Sequence, residues 1–316
     1  MVPTASTKAT GSRRSVRSAS SRREARNFWI YISPWVVGFS VFILGPMLYS
    51  LYLSFTDSKL GQLGGFIGTA NYVEVFGDDL FYTAVRNTAY YAIVSVPLQL
   101  ILAFFLASLL NKRIRGIGVF RTLFYLPSVI AGISTVLLWS WIFNSNYGLV
   151  NYILSLFGIH GPNWLSDEKY AIPAIIIMSL HGVGGAMLIF LAALQGVPIS
   201  LYESAQLDGA GAVQRLFRIT LPMISPTIFF NLILGIIGSL QVFTQPYIFS
   251  QLNQNVGRNR GMYVYVQYLF DVGFRYYRAG YGSAIAWILF AFTLLISLII
   301  MKSSTSWVYY SDGGSD

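Results

Sequence analysis

The chain has 316 residues, of which 55% are hydrophobic and only 10% charged, with 21 Lys+Arg, 12 Asp+Glu and no cysteine. A soluble domain carries about 25% charged residues, so an ordinary soluble enzyme is excluded. The missing cysteines exclude a disulfide framework, thiol nucleophiles and cysteine-ligated zinc. Uncharged stretches run over 27–56, 87–111, 122–166, 170–202, 219–257 and 279–301. Each is long enough for the roughly 20 apolar residues of helix that cross a bilayer core about 30 Å thick.

Residues 1–26 hold Ser, Thr, Ala and seven Lys/Arg against one acid, Glu24. Such a segment buries too little apolar surface to offset its ordering entropy, so a disordered basic tail is expected. The run Phe28 to Phe55 is too long for a signal-peptide core and reads as a permanent span, with Pro34 and Pro46 tolerated if neighbouring helices satisfy the freed carbonyls. Further spans are expected near 84–110, 120–143, 171–195, 222–248 and 281–302. Leu149 to Ile159, between Gly148 and Gly161-Pro162, is too short to cross and reads as an interfacial or re-entrant helix. The expected fold class is all-α, a polytopic bundle of six spans over 27–310, with a short C-terminal tail at 311–316.

An even number of spans puts both termini on one side. The tail, loop 111–121, loop 196–221 and Lys302 together carry 14 Lys/Arg against 7 on the opposite side. The positive-inside rule places both termini in the cytoplasm of a multi-pass bacterial cell-membrane protein. Loop 249–280, with four Arg and one Asp, runs against this bias. The net charge of +9 then describes a basic face next to anionic lipid, with no nucleic acid as partner.

No GxxxxGK[ST] phosphate loop and no HExxH occurs, and the histidines are His160 and His181. A Ser134–His181 nucleophile pair has little to support it among the other span serines. No Asp lies deep in an expected span, so proton or sodium coupling through a buried carboxylate is not expected either. The chain reads as a transport subunit, not an enzyme, that takes its energy from a partner.

The docking site for that partner is sought in loop 196–222. Ser200 followed by Glu203 reads as a capping box, and Gly209 as a left-handed helix stop. A second short helix is expected near 211–218, giving a helix-turn-helix whose apolar side carries Leu201, Ala205, Leu207, Leu216 and Phe217. The pattern Glu203-Ser204-Ala205, Gly209 and then Ile219-Thr220-Leu221-Pro222 resembles the EAA motif of permease subunits of bacterial ABC importers. The resemblance runs from about Phe28 to Tyr310 and is strongest to the carbohydrate branch, through Leu191 to Gln195 and Trp307 to Tyr309. Loop 56–83 holds no inserted domain, and Gln254 to Gly257 replace the family's usual Gly-Gly-Pro.

The resemblance implies a six-span permease fold whose first short helix is a coupling helix docked on a cytoplasmic ATPase, with Glu203, Ser204, Ala205, Asp208 and Gly209 at the contact. It also implies a homologous second permease subunit, two copies of the ATPase and an extracytoplasmic solute-binding protein. No cofactor is expected in this chain, since ATP and Mg belong to the ATPase. The cargo implied is a carbohydrate, most simply an oligosaccharide. Glycerol phosphate diesters or another polar solute are the alternative cargo, and a secondary carrier the alternative class.

A sugar site needs hydrogen-bonding groups beside aromatic surface. Gln241 and Gln245, four apart with Phe243 and Tyr247 alongside, would share one helical face. Gln241 falls near a polar sugar contact of the resembling maltose permease, and Ser179, His181 and Gly185 fall in the region lining the same cavity. The competing reading is that these groups only tie helices together. Trp139, Trp141 and Tyr147 are expected in an interface belt, and Arg275-Tyr276-Tyr277-Arg278 could meet the binding protein.

Overall fold

A computed structural model describes residues 19–112, 114–130, 132–252 and 260–309. Among these residues the structure is helical, and β pairing is limited to isolated bridges at Thr56–Phe66 and Lys59–Gln62. Contacts divide the chain between Tyr52 and Leu53 into two units.

The first unit is one long helical rod. α1 (Ala19–Phe39) passes through a π turn at Ser40–Leu44 into α2 (Gly45–Leu53). The π turn directly precedes Pro46, which has no N–H to donate and crowds the carbonyl four residues back. Its segment Arg26–Leu53 is long and apolar enough to span a membrane. The expected tail is therefore too long: Ala19–Arg26 already belong to α1, because Ala, Arg and Glu are good helix formers joined to a helix that continues. Residues 1–18 and 311–316 lie outside the described residues.

The second unit opens with α3 (Ala70–Phe76) and the 32-residue α4 (Asp79–Leu110). α5 (Ile117–Tyr125), a 3-10 turn Leu126–Val129 and α6 (Gly132–Ile142) follow, then the short α7 (Leu149–Leu156). Next come α8 (Glu168–Leu180), α9 (Gly184–Gln195), α10 (Ile199–Leu207) and α11 (Ala212–Arg215). A π turn at Leu216–Thr220 leads into α12 (Leu221–Met223), α13 (Ser225–Leu240) and α14 (Thr244–Leu252). α15 (Tyr265–Phe270), a π turn at Asp271–Arg275 and α16 (Ala279–Ser304) complete it.

α4 is the axis of this unit and contributes to three buried clusters. Phe81 and Ala84 meet α15 and α16; Tyr91 meets α6 and α8; Ala103, Ala107 and Leu110 meet α9. Lipid tails remove the hydrophobic drive between spans, so close approach by small side chains has to supply the cohesion. Ala103 and Ala107, four apart and fully buried, give α9 that approach, with Met187 and Phe190 filling the opposite side.

Among the described residues four helices are long and apolar enough to cross a membrane: Arg26–Leu53, Asp79–Leu110, Ala279–Ser304, and Ser225–Leu252 across a short interruption. The other two expected spans correspond to bent pairs. Ile117–Val129 with Gly132–Ile142 bends by 98°, and Glu168–Leu180 with Gly184–Gln195 by 48°.

Candidate functional site

Two features stand out: the surface loop 196–222, and a meeting point of interrupted helices inside the bundle.

In the loop, α10 ends in a Schellman motif. Gly209 has φ +78°, its N–H donates to the Gln206 carbonyl at 3.0 Å, and the Ala210 N–H donates to the Ala205 carbonyl at 2.8 Å. Glycine takes this left-handed conformation without the penalty a Cβ brings. The expected capping box is not formed. Pro198 occupies the N-cap and no side-chain cap hydrogen bond is made, so Ser200 already lies inside the first turn. Glu203, Ser204, Asp208 and Gly209 are exposed and Ala205 is half-buried. Leu207 is 91% exposed, and Leu201 and Phe217 are also exposed. Leu216 instead turns inward beside Phe104. The expected single apolar side is thus split between an outward set and an inward anchor. The anchor is reinforced by Tyr202, whose hydroxyl lies 2.9 Å from Thr220 Oγ1.

Inside the bundle three interruptions meet. The first follows Pro127 in the 3-10 turn Leu126–Val129. The second, His181–Val183, separates α8 from α9. The third, Gln241–Val242–Phe243, separates α13 from α14. The third break sits four residues ahead of Pro246, which cannot donate to the Val242 carbonyl. A Cβ on Gly184 would stand 2.5 Å from the Phe124 carbonyl oxygen, and one on Gly132 3.8 Å from Thr244 Cγ2. Those approaches bring the first break against both others. Non-helical backbone at membrane depth is tolerated where protein covers it or a cavity solvates it.

The sequence-expected residues divide accordingly. Ser179 Oγ accepts from Gln99 Nε2 at 2.9 Å and donates to the Ile176 carbonyl at 2.7 Å, tying α4 to α8. His181 caps α8 half-buried, its ring edge-on to Trp139 at 6.2 Å. Gly185 has nothing within 4 Å of a Cβ position. Gln241 and Gln245 do not share a continuous helical face, because the helix stops at Leu240 and restarts at Thr244. Gln241 is exposed and lines a groove of about 380 Å³ with Phe290, Thr293 and Ser297 of α16. Gln245 is half-buried in the first turn of α14. Phe243 stacks on Tyr247 at 4.9 Å and leans on Phe270 at 5.3 Å.

Trp139 departs from the expected interface belt. It turns inward against Phe143 and His181, and its buried indole N–H has no hydrogen-bond partner. Trp141 and Tyr147 are exposed, as residues of a belt would be. Arg275 and Arg278 are engaged within the chain. Arg275 approaches Asp271 at 3.2 Å and covers Tyr247, and Arg278 pairs with Glu74 and lies 4.3 Å over Tyr281. Burial pushes the Asp271 carboxyl up, with Arg275 opposing. Residues 254–257 lie outside the described residues.

Residues 99–312 match the family described as "Binding-protein-dependent transport system inner membrane component". The chain belongs to this family. It is 40% identical over 297 residues to the probable ABC transporter permease protein YesP of Bacillus subtilis, covering 93% of this chain and 95% of that protein. It is 33% identical to the lactose transport system permease protein LacF of Rhizobium radiobacter, covering 90% and 95%. An alginate ABC transporter, solved in complex with an alginate pentasaccharide-bound periplasmic protein, has a chain that superposes with a TM-score of 0.79 at 24% identity, covering 91% of this chain and 97% of that one. The chain is thus a multi-pass ABC permease with the fold of that transporter.

Proposed function

We propose that the chain forms half of the membrane pathway of an ATP-driven carbohydrate importer. The observation that carries this reading is the exposed, Schellman-capped α10, fixed at its root by Tyr202 and Thr220 and presenting Glu203, Ser204, Asp208 and Leu207 outward. A short rigid helix with an unpartnered mixed surface suits a lever moved by another protein. Relatives that transport lactose, arabinooligosaccharides and trehalose or maltose, each 33% identical, support a carbohydrate cargo.

In this reading the bent pairs each make one span, giving six, and α10 with both termini faces the cytoplasm. Two ATPase subunits hold ATP and Mg, a homologous second permease completes the pathway, and an extracytoplasmic binding protein delivers the sugar. Movement of α10 shifts the bundle between two states according to which one the ATPases bind more tightly. The meeting point of the interrupted helices is the sugar's route. His181 and Trp139 face each other at the second break, with Gly185 in the first turn of α9, while Gln241, Phe243 and Gln245 belong to the third break, with Gln241 turned toward α16, and Ser179 ties α8 to α4.

Uptake into ATP-loaded proteoliposomes of the assembled transporter tests this, with lactose, arabinotriose, trehalose and a glycerol phosphate diester as separate labelled probes. ATP-dependent uptake of at least one saccharide is expected. Uptake confined to the phosphodiester, or driven by an ion gradient without ATP, would overturn the reading.

A further inference from the structure

Behind α10 the structure holds two clefts. The larger, of about 870 Å³, is lined by Lys112, Arg121, Gln195 and Tyr202 among others. The smaller, of about 300 Å³, lies across Tyr202 and is lined by Phe104, Arg215 and Leu216 among others. They share Asn111, Leu194 and Tyr202, and neither is lined by an Asp or Glu. The acids of the loop, Glu203 and Asp208, lie outside both.

At the ends of α4 and α9, Lys112 and Arg121 therefore line the larger cleft beside Ile117 and Leu194, and Arg215 lines the smaller one beside Phe104 and Leu194. Part of this charge has a local use. Arg121 donates from Nε at 3.3 Å and from Nη2 at 2.9 Å to the Leu110 carbonyl at the end of α4, offsetting the negative end of that helix. Among the described residues Lys112 and Arg215 make no such contact, and Lys112 is exposed.

We propose that these clefts bind the headgroup of an anionic phospholipid, with its phosphate beside Lys112 and Arg121 and its acyl chains along the apolar walls. The inference rests on the cytoplasmic placement of α10, which sets the clefts at headgroup depth in the leaflet facing the ATPase. Basic pockets between spans on that side suit anionic headgroups, each cation near the surface contributing about 1 kcal/mol. The seat lies against Tyr202, at the root of α10. An anionic lipid there props the helix from behind, and coupling depends on the lipid composition of that leaflet.

The test uses the assembled transporter in nanodiscs of phosphatidylcholine with a minor fraction of phosphatidylglycerol. Retained lipid is counted by native mass spectrometry on the permease chain after gas-phase release of its partners, so failure of ATPase docking does not remove the readout. The wild type is expected to retain phosphatidylglycerol over phosphatidylcholine. Lys112→Gln should reduce that preference on the order of fivefold, the factor that about 1 kcal/mol produces, whereas Lys112→Arg should keep it. Arg115→Gln removes an exposed charge outside both clefts and should leave the preference unchanged. No preference in the wild type would overturn the proposal. So would an equal loss in Arg115→Gln, which would mean diffuse attraction, or retention of inorganic phosphate in place of lipid.

Discussion

The Tyr202 hydroxyl and Thr220 Oγ1, 2.9 Å apart, join the first helix of the surface loop to the π turn at the root of the following span. Eighteen residues separate them in sequence, and the contact closes the loop into a unit that can move as one body. Tyr202→Phe removes the hydroxyl bridge and keeps the ring. A hydrogen bond of this kind contributes about 0.5–1.5 kcal/mol net, too little to unfold the bundle. Solute moved per ATP hydrolysed is expected to fall several-fold while membrane insertion is unchanged. Unchanged stoichiometry would remove the bridge from the coupling path.

Gly209 offers a sharper test of the same loop. A Cβ there meets open space, so the only penalty is its φ of +78°. Gly209→Val should cost at least the roughly 1–2 kcal/mol of a left-handed non-glycine residue and loosen the end of α10. Gly209→Asn, which tolerates this region, should be milder. Co-purification of the ATPase is expected to rank wild type, Asn, Val. Equal recovery of all three would separate the turn from docking.

The orientation can be read directly because the chain contains no cysteine. Asn146→Cys should react with an impermeant thiol reagent in intact cells, and Gln214→Cys only after lysis. Both positions are exposed, so a silent site cannot be blamed on burial. Labelling of Gln214→Cys from outside would invert the bundle and end the coupling argument.

At the opposite end of the second unit, Arg278 reaches Glu74 through two hydrogen bonds of 2.7 and 2.6 Å. This pairing holds the Glu74 carboxyl below its usual value of 4.5. A depressed carboxylate stabilises the fold above its unfolded pKa, and that contribution is lost as pH falls through the lower, folded value. Both side chains are about half exposed, so the pair contributes only about 0.2–1 kcal/mol and salt screens it. Wild type and Glu74→Gln should differ slightly in Tm at pH 7 and converge in strong acid or high salt. A gap that widens on acidification would contradict this assignment.

Four long apolar helices were legible in the sequence because a bilayer imposes one length on every crossing helix, whereas the two bent pairs read as straight spans. The stop at Gly209 was legible because a single residue type answers a single backbone need. The capping box misled because Ser200 and Glu203 have the right spacing whether or not the helix starts two residues earlier, and Pro198 starts it earlier. The break at Gln241–Phe243 was encoded in Pro246, four residues beyond the Val242 carbonyl it cannot serve, yet hydrophobic periodicity carried the helix straight through. Trp139 was misplaced for a different reason. Composition puts a tryptophan near a span end, but only the packing of α6 against His181 and Phe143 says which way its ring turns.

That inward turn supplies the most discriminating experiment on the solute route. A buried donor without a partner has lost its water and gained nothing in return. If Trp139 is merely structural, Trp139→Phe removes an orphaned N–H and some ring volume, and stability should change by only about 1–2 kcal/mol in either direction with transport intact. If the indole N–H instead waits for a sugar hydroxyl, the same substitution should leave Tm and basal ATP hydrolysis nearly unchanged while solute transport drops by about tenfold, the factor a lost hydrogen bond of about 1.4 kcal/mol produces. Gln241→Leu and Gln245→Leu extend the test to the third interruption. They keep bulk and delete the amides, so lowered transport with assembly preserved supports a solute contact. Loss of assembly assigns the amides to helix packing, and full transport in all three variants moves the sugar's path away from the interrupted helices.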